Sequence, residues 1–160
     1  MTPASPPGYS VDTNIIIDFR VRFYPEDVFP GLWRSIDSLI DEGRMILADE
    51  VATELERGDD DCHEWAKRTT GLIAPSDDAV LSVVEKIAID YEDWASEQAN
   101  WADPYVIGHA LSRGWTVVTN ERFSTSPRPD RTKIPNVCEK LGVPCLSFLD
   151  WARSEGWTFG

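Results

Sequence analysis

Four acidic side chains are candidates for chemistry, because each lies near the carboxyl end of a predicted strand or at the start of a predicted helix. They are Asp12, Glu54, Asp103 and Glu121. Two carboxylates about 4 Å apart repel each other by roughly 4 kcal/mol at an effective dielectric constant of about 20, so a cluster of four needs cations to stay ionised. Carboxylate oxygens without His or Cys favour Mg²⁺ or Mn²⁺ over zinc. The four residues therefore predict a site for a divalent ion of the kind that activates water and stabilises the leaving oxygen of a phosphodiester.

Each of the four acids also has an ordinary structural interpretation. Asp12 can cap a helix, and Asp103 before Pro104 is a favourable helix start. Glu54 can lie on the solvated face of an amphipathic helix, and Glu121 can be an ordinary loop residue. No single position carries the prediction, which depends on their joint placement at one edge of the fold.

Short apolar strands alternate with helices along the chain, and this order predicts a parallel sheet covered by helices on both faces. The predicted strands span residues 9–11, 45–48, 72–74, 115–119 and 143–148. A first predicted helix runs from Asp12 towards Tyr24, another begins at residues 76–78, and a last one ends the chain. The other predicted helices span residues 32–42, 50–57, 62–67, 104–113 and 136–141. Ligands of such folds bind beyond the carboxyl ends of the strands, which is where the four acids fall.

Length and composition predict one folded domain. The chain has 160 residues, of which 42% are hydrophobic and 11% aromatic, and this excludes an intrinsically disordered protein. Residues 1–8 are Pro-rich and are predicted to form a flexible tail, with a single domain over 9–160. The tail has neither the charged nor the apolar region of a secretory signal, and no apolar run approaches the roughly 18 residues of a membrane span. Three cysteines, an odd number without metal-ligand spacing, favour a reducing, cytoplasmic compartment.

The charge balance is strongly acidic, with 28 Asp and Glu against 15 Lys and Arg and a formal net charge of −13. Such a charge argues against a protein that coats nucleic acid by bulk attraction, because those domains are usually basic. It does not argue against an enzyme whose carboxylates hold cations, since a bound divalent ion reverses the local potential. The acidic runs 59–61 and 77–78 lie far along the chain from the basic segment after Glu121.

Four short segments resemble the acidic motifs of PIN-domain ribonucleases, and each contains one of the four acids. They are residues 9–14 (YSVDTN), 51–55 (VATEL), 102–107 (ADPYVI) and 117–121 (VVTNE). More narrowly, residues 24–25, 27–33, 133–138 and 141–145 resemble a PIN-like group described as a domain of unknown function, DUF4411. The resemblance covers nearly the whole chain after the tail, and the order and spacing of the motifs are more specific than any one of them.

The resemblance implies an α/β fold, a three-layer α/β/α sandwich with a central, mainly parallel sheet of about five strands. It also implies a Mg²⁺- or Mn²⁺-dependent endoribonuclease in which Asp12, Glu54, Asp103 and Glu121 are the catalytic residues and the metal ligands. Such an enzyme cleaves single-stranded RNA and leaves a 5′-phosphate. The family also implies the toxin of a bacterial toxin–antitoxin pair, which a partner protein holds inactive.

One position departs from the pattern of the family, since the usual acid of the fourth motif is Asp and the matching residue here is Glu121. Its side chain is one methylene longer, so we expect a shifted second metal position. Asn14 and Thr119 match neighbouring positions that orient the ligands or a water, and turn or cap hydrogen bonds are the alternative interpretation.

Basic residues follow the fourth acid within a polar loop, and they are predicted to bind the phosphates of the RNA backbone. They are Arg122, Arg128, Arg131 and Lys133, against the single acid Asp130. A solvated, mobile loop is the alternative interpretation.

Several aromatic residues are assigned to the core or to a self-association surface, and the second assignment would make the protein a homodimer. They are Trp94, Trp101, Trp115, Trp151 and Trp157. Base stacking by one of them is the alternative interpretation.

Two other functions remain compatible with the sequence. A phosphohydrolase of small phosphate esters would use Asp12 as its nucleophile, but Asn14 stands where a second Asp would support this function. A non-catalytic PIN-like binding module would carry Glu121 as the mark of a decayed metal site. The two histidines, His63 and His109, are predicted to be structural or surface residues and not catalysts.

Overall fold

The computed structural model describes residues 5–159, and within this range five strands form one parallel sheet. The strands are β1 (Tyr9–Val11), β2 (Met45–Ala48), β3 (Ile73–Ala74), β4 (Thr116–Val118) and β5 (Cys145–Leu146). Their order across the sheet is β3-β2-β1-β4-β5. Tyr9 lies opposite Met45 on one side and opposite Thr116 on the other, so β1 is the central strand.

Helices connect the strands and cover the sheet. In chain order they are α1 (Thr13–Ile17), α2 (Pro30–Asp41), α3 (Asp49–Gly58), α4 (Asp60–Arg68), α5 (Asp78–Asp90), α6 (Glu92–Ala95), α7 (Asp103–Arg113), α8 (Ile134–Leu141) and α9 (Phe148–Glu155). A π-helical segment, Asp18–Phe23, continues α1, and short 3₁₀ turns lie at Gln98–Asn100 and Pro129–Arg131. Each connection between successive strands contains a helix, as parallel pairing requires.

Alternating side chains of β1 show how the layers pack, because successive residues of a strand point to opposite faces. On one face the Ser10 hydroxyl donates to the Val106 carbonyl of α7 at 2.8 Å. On the other face the Tyr9 ring packs against Trp151 of α9, with ring centroids 5.5 Å apart. All of β1 is buried, as expected for a central parallel strand. The predicted fold class, a three-layer α/β/α sandwich with a five-stranded parallel sheet, is confirmed.

Capping residues determine where several helices begin and end. Two aspartates of the acidic runs are such capping residues. Asp59 accepts a hydrogen bond from Cys62 N and Asp77 accepts one from Val80 N, each at 2.9 Å. α7 ends at Gly114, whose φ of 67° lies in the left-handed region that favours glycine. Because these signals are local, the predicted helix 104–113 matches α7 to within one residue.

The last predicted strand is wrong in length. Residues 143–148 are predicted as a strand, but β5 contains only Cys145 and Leu146, and Phe148 already begins α9. Ser147 is the physical reason, because its hydroxyl accepts a hydrogen bond from Asp150 N at 3.3 Å and thereby caps the helix.

The first helix continues as a wider π-helical turn that the apolar run 15–17 does not indicate. The Tyr24 N–H donates to the Phe19 carbonyl, five residues earlier, at 3.0 Å. This turn places the Arg20 guanidinium against both Trp33 and Trp65, with its Cζ atom 4.9 Å from the centroid of each ring. Arg20 is therefore part of the packing between helices.

The start of the chain is attached to the rest of the protein before β1 begins. Residues 1–4 of the predicted tail lie outside the described residues, and residues 5–7 are exposed. The Arg44 Nε–H donates to the Pro7 carbonyl at 2.8 Å. Gly8 is buried, and a Cβ atom at this position would lie 2.1 Å from the Trp115 ring, so only glycine fits here.

Two findings concern the predicted compartment. No helix of the described residues combines the length and the apolar character needed to cross a membrane. Cys62, Cys138 and Cys145 are free thiols.

The burial of His109 in α7 predicts that stability depends on pH. The side chain is fully buried, and burial together with the Arg113 guanidinium lowers its pKa from 6.5 to about 4. Between these two values the unfolded chain binds a proton at His109 that the folded protein does not bind, so the contribution of His109 to stability falls as the pH decreases through this window. From about pH 7.5 to about pH 5 we expect His109 to lower the free energy of unfolding by about 2 kcal/mol. The raised pKa values of the buried Asp12 and Asp103 act in the opposite direction over this interval, so the His109 effect is the difference between the wild type and a His109 variant in urea unfolding at the two pH values.

The contribution of His109 is isolated by repeating the measurement on His109→Gln. This variant should lose about 2 kcal/mol less stability than the wild type over the same pH interval. His63→Gln, at the only other histidine of the chain, serves as the matched control. An identical pH dependence in the wild type and His109→Gln would contradict the prediction.

Candidate functional site

Asp12 lies at the carboxyl end of β1 and is 3% exposed. It occupies the N-cap position of α1, yet its side chain makes no capping hydrogen bond. Instead Asp12 Oδ2 accepts a hydrogen bond from the Thr119 hydroxyl, which follows β4, at 2.8 Å. Thr119 Oγ1 in turn accepts from Glu121 N at 3.1 Å. Thr119 thus holds the Asp12 carboxylate against the end of the neighbouring strand.

Glu54 lies on α3 and is held by donors from two other parts of the chain. Its Oε2 atom accepts from the Thr13 hydroxyl at 2.7 Å, and its Oε1 atom accepts from Ala102 N at 3.3 Å. Thr13 follows Asp12 and Ala102 precedes Asp103, so the two hydrogen bonds bring Glu54 towards both of these acids. Glu54 is therefore half-buried at the site and does not lie on the solvated face of its helix.

Asp103 and Glu121 complete the set from two further segments. Asp103 is the first residue of α7 and is 6% exposed. Glu121 is half-buried, and its Oε2 atom accepts from Ile134 N at the start of α8 at 2.9 Å. A backbone N–H at a helix N-terminus stabilises a carboxylate, so Glu121 also supports the beginning of α8.

The electrostatics show that neighbouring carboxylates act on the two buried acids, Asp12 and Asp103. Burial raises the pKa of Asp12 above its usual range, the Thr119 hydrogen bond opposes this shift, and the charges of Glu121 and Glu54 add to it. Burial likewise raises the pKa of Asp103, and the charges of Asp12, Glu121 and Glu54 raise it further. Desolvation and like-charge repulsion both disfavour the ionised forms. A cation at this edge of the sheet would therefore be stabilising.

The four side chains suit a hard divalent cation in kind but do not form a closed cage. All of them offer carboxylate oxygens, which Mg²⁺ and related ions prefer. Within residues 5–159, however, no three side chains of His, Cys, Asp or Glu are grouped closely enough to hold one ion. Asp12 and Asp103 are the best suited pair, because both are buried and Asp12 is the charge that acts most strongly on Asp103. Mg²⁺ usually keeps several waters, so a site with few protein ligands fits its chemistry.

The two residues predicted to support the acids, Thr119 and Asn14, differ in their surroundings. Thr119 is buried and bonded to Asp12, whereas Asn14 is exposed in the first turn of α1. Thr13 is a positioning residue that the sequence reasoning missed, because its hydroxyl donates to Glu54. Its place directly after Asp12 is the only sequence signal that could have indicated it.

The predicted phosphate-binding residues also differ in their surroundings. The Lys133 ammonium opposes the upward pKa shift of Asp103, so it lies near the acids. Arg128 is engaged by Asp130, because its Nε and Nη2 atoms donate to the two carboxylate oxygens at 3.1 and 2.7 Å. Arg131 is exposed. Lys133, and Arg122, which lines a cleft together with Glu121, are therefore the residues of this group with an observed relation to the acids.

The loop that carries these basic residues is attached to α8. Asn136 Oδ1 accepts from Ser124 N, and Asn136 Nδ2 donates to the Ser124 carbonyl, both at 2.9 Å. This pair of hydrogen bonds holds the beginning of the loop beside Glu121.

Two open clefts border the acids. One, of about 490 Å³, is lined in part by Glu121 and the exposed Arg122. The other, of about 330 Å³, is lined in part by Glu54 and the exposed Trp101. Glu121 follows β4 and Glu54 follows β2, and these strands flank β1. The clefts therefore lie on either side of Asp12.

Comparison with known proteins identifies a family for the chain. A family model described as a domain of unknown function, DUF4411, matches residues 9–159. A comparison with curated proteins gives no match. Because the matched range covers nearly the whole chain and all four acids, the chain belongs to the DUF4411 family.

Proposed function

We propose that this member of the DUF4411 family is a metal-dependent endoribonuclease that cleaves single-stranded RNA. Asp12 and Asp103 would hold Mg²⁺ or Mn²⁺, and Glu54 and Glu121 would contact the ion through its waters, since within residues 5–159 no three of these side chains are close enough to bind one ion directly. One observation carries the proposal: at the carboxyl edge of the sheet, two buried carboxylates from separate segments, Asp12 and Asp103, lie within the electrostatic influence of Glu54 and Glu121.

A purely structural network explains this convergence less well than a metal site does. Two carboxylates about 4 Å apart repel by roughly 4 kcal/mol at an effective dielectric constant of about 20. The Thr13 and Thr119 hydroxyls orient Glu54 and Asp12, but neutral donors remove no charge. A divalent cation would compensate the charge directly, which supports a site built for one.

The protein's part in the proposed reaction is to orient charge before the substrate binds. A bound Mg²⁺ or Mn²⁺ supplies Lewis-acid stabilisation of the phosphodiester and lowers the pKa of water. Asp12 and Asp103 would present their carboxylates to the cation at a buried position, where electrostatic interactions are stronger than in water. Thr119 fixes the direction of the Asp12 carboxylate and Thr13 that of Glu54, in the manner of residues that orient metal ligands.

The form of the site supports a polynucleotide substrate over a small phosphate ester. The acids lie between two open clefts of about 490 and 330 Å³, so a strand longer than one nucleotide can cross them. Lys133 lies near Asp103, and Arg122 and Arg131, which follow Glu121 along the chain, are exposed. Such cations position a strand through its phosphates without reading its sequence.

We extend the proposal to a partner protein that holds the enzyme inactive, as in a toxin–antitoxin pair. The support is the resemblance of the four acidic motifs to those of PIN-domain ribonucleases. Copurification of the chain with the product of a neighbouring small gene, and loss of RNA cleavage in the complex, would test this extension.

The principal test is cleavage of a mixed RNA pool with and without Mn²⁺. We expect cleavage with Mn²⁺ or Mg²⁺ and none in excess EDTA. The products should carry 5′-phosphates, which a 5′-phosphate-dependent exonuclease detects. Titration calorimetry with Mn²⁺ alone should show binding at micromolar to millimolar concentrations of the metal.

Other results would select the alternative functions. A non-catalytic binding module is favoured by one observation, the engagement of the Glu121 carboxylate by Ile134 N, and it predicts neither Mn²⁺ binding nor cleavage. A phosphohydrolase would leave RNA intact and form a covalent phosphate adduct on Asp12. Full cleavage in excess EDTA would contradict the dependence on metal.

A further inference from the structure

A cleft beside Glu54 has features that the proposed catalytic residues leave unexplained. Its volume is about 330 Å³, and Glu54, Arg57, Gln98 and Trp101 are among the residues that line it. A recess of about 370 Å³ continues it past Glu97. We name the two together the Trp101 cleft.

Among the five tryptophans that are candidates for base stacking, Trp101 is the one whose ring is available to a ligand. Its side chain is 38% exposed. Trp94 and Trp151 are buried, and Trp115 and Trp157 are half-buried. An aromatic ring of this size costs free energy when it is left in water, so its exposure beside a cleft points to a ligand.

Arg57 lies over the Trp101 ring, with its Cζ atom 5.7 Å from the ring centroid, which leaves the other face of the ring for a ligand. Arg57 is exposed, and within residues 5–159 no carboxylate forms a salt bridge with it. The guanidinium and the indole thus form two planar groups at the mouth of one cleft. Both kinds of group stack on nucleobases.

The charges of the Trp101 cleft favour an uncharged ligand. Glu54 and Glu97 contribute two carboxylates against the single guanidinium of Arg57, so the cleft does not attract a phosphate. A nucleobase is flat and neutral, and its polar edge can hydrogen-bond to an amide such as that of Gln98. The cleft therefore suits a base whose phosphates remain outside.

We propose that the Trp101 cleft is a nucleobase-binding subsite, in which one base of the RNA stacks on the face of Trp101 opposite Arg57. The inference rests on the proposed function, because the base belongs to the strand that the acids cleave. Glu54 connects the two places, since it lines the cleft and is bonded to Thr13 beside Asp12. Trp101 is a binding residue here and does not touch the reacting atoms.

The test combines substitution of Trp101 with removal of single bases from the RNA. Fluorescence anisotropy measures binding of a labelled single-stranded RNA of about eight nucleotides, with Ca²⁺ in place of Mn²⁺ to keep the strand intact. A series of strands lacks one base each. In the wild type one abasic position should weaken binding about tenfold. Trp101→Ala should weaken binding of the intact strand by the same factor and should no longer respond to that abasic position, because groups in contact are not additive.

Matched variants separate stacking from a loss of structure. Trp101→Phe keeps an aromatic face and should retain most of the binding. Trp101→Leu keeps a bulky side chain without an aromatic face, so it should show the same weakened binding that is expected of Trp101→Ala. It also replaces Trp101→Ala in the test if the alanine variant does not fold. Phe159→Ala changes another exposed aromatic residue, in a different cleft, and should bind as the wild type. An abasic penalty of equal size in the wild type, Trp101→Ala and Trp101→Leu would overturn the subsite.

RNA cleavage by the same proteins distinguishes failure of the subsite from failure of the proposed function. A wild type that cleaves RNA with Mn²⁺, while the abasic penalty persists in Trp101→Ala, overturns the subsite alone. A wild type that shows the coupled binding but never cleaves RNA supports the subsite and contradicts the endoribonuclease. A wild type that binds no RNA overturns both.

Discussion

Asp12→Asn should reduce RNA cleavage about a thousandfold while the metal-free protein becomes no less stable. A bound metal is worth several kcal/mol of transition-state stabilisation, and each 1.4 kcal/mol corresponds to about a factor of ten in rate. Asparagine keeps the shape of Asp12 and still accepts the Thr119 hydrogen bond. It also removes the charge that acts most strongly on Asp103, so repulsion within the site decreases. Single-turnover cleavage with Mn²⁺ and thermal unfolding in EDTA measure the two effects.

Controls for this prediction use the metal and a distant aspartate. Mn²⁺ should raise the melting temperature of the wild type, because a ligand that binds only the folded state stabilises it, and it should not do so for Asp12→Asn. Asp150→Asn changes an exposed aspartate of α9 that is bonded to Arg153, and should cleave as the wild type. Wild-type cleavage by Asp12→Asn would refute the proposed metal site. A large loss of stability in EDTA would show that the Asp12 carboxylate is structural.

Most of the fold could be predicted because its signals are local. Strands β1 to β4 lie within one residue of the predicted bounds at each end, since each is a short, mainly apolar run that a polar residue or a proline follows. β5 could not be placed in this way, because a single hydroxyl, that of Ser147, converts the end of an apolar run into a helix start. In the π-helical turn Asp18–Phe23, Phe19 packs against Phe148 and Trp151 of α9, which are distant in sequence and which local patterns do not reveal.

The positions of the four acids could be predicted, but their orientation could not. Strand order brings Asp12 and Glu121 to one edge of the sheet, and any parallel α/β fold would do the same. The donor to Glu54 comes from Thr13, which is 41 residues away, and Glu121 is bonded to Ile134 N. Such contacts depend on how helices dock, which residue spacing does not reveal. The same limit explains why the exposure of Trp101 was visible only in the structure.

Gly8→Ala should lower the free energy of unfolding by about 3 kcal/mol, although the sequence places Gly8 in a flexible tail. A Cβ atom would lie 2.1 Å from Cε2 and 2.3 Å from Cδ2 of the rigid Trp115 ring. The backbone cannot shift freely, because the Gly8 carbonyl accepts a hydrogen bond from Thr116 N at 3.0 Å. Overpacking of this kind costs about 1–3 kcal/mol. For a chain of this length we expect the melting temperature to fall by about 6–10 °C, as measured by calorimetry.

Two further variants decide whether the contact with Trp115 causes the effect. Gly31→Ala on α2 is the matched control, because the nearest atom to its Cβ would be 3.6 Å away, and it should melt at or above the wild-type temperature. Combining Gly8→Ala with Trp115→Ala should recover part of the loss, since residues in contact are not additive. Wild-type stability of Gly8→Ala would mean that ordered packing begins only at Tyr9. Recovery in the double variant would instead show that the Trp115 ring, and not backbone freedom, requires glycine at this position.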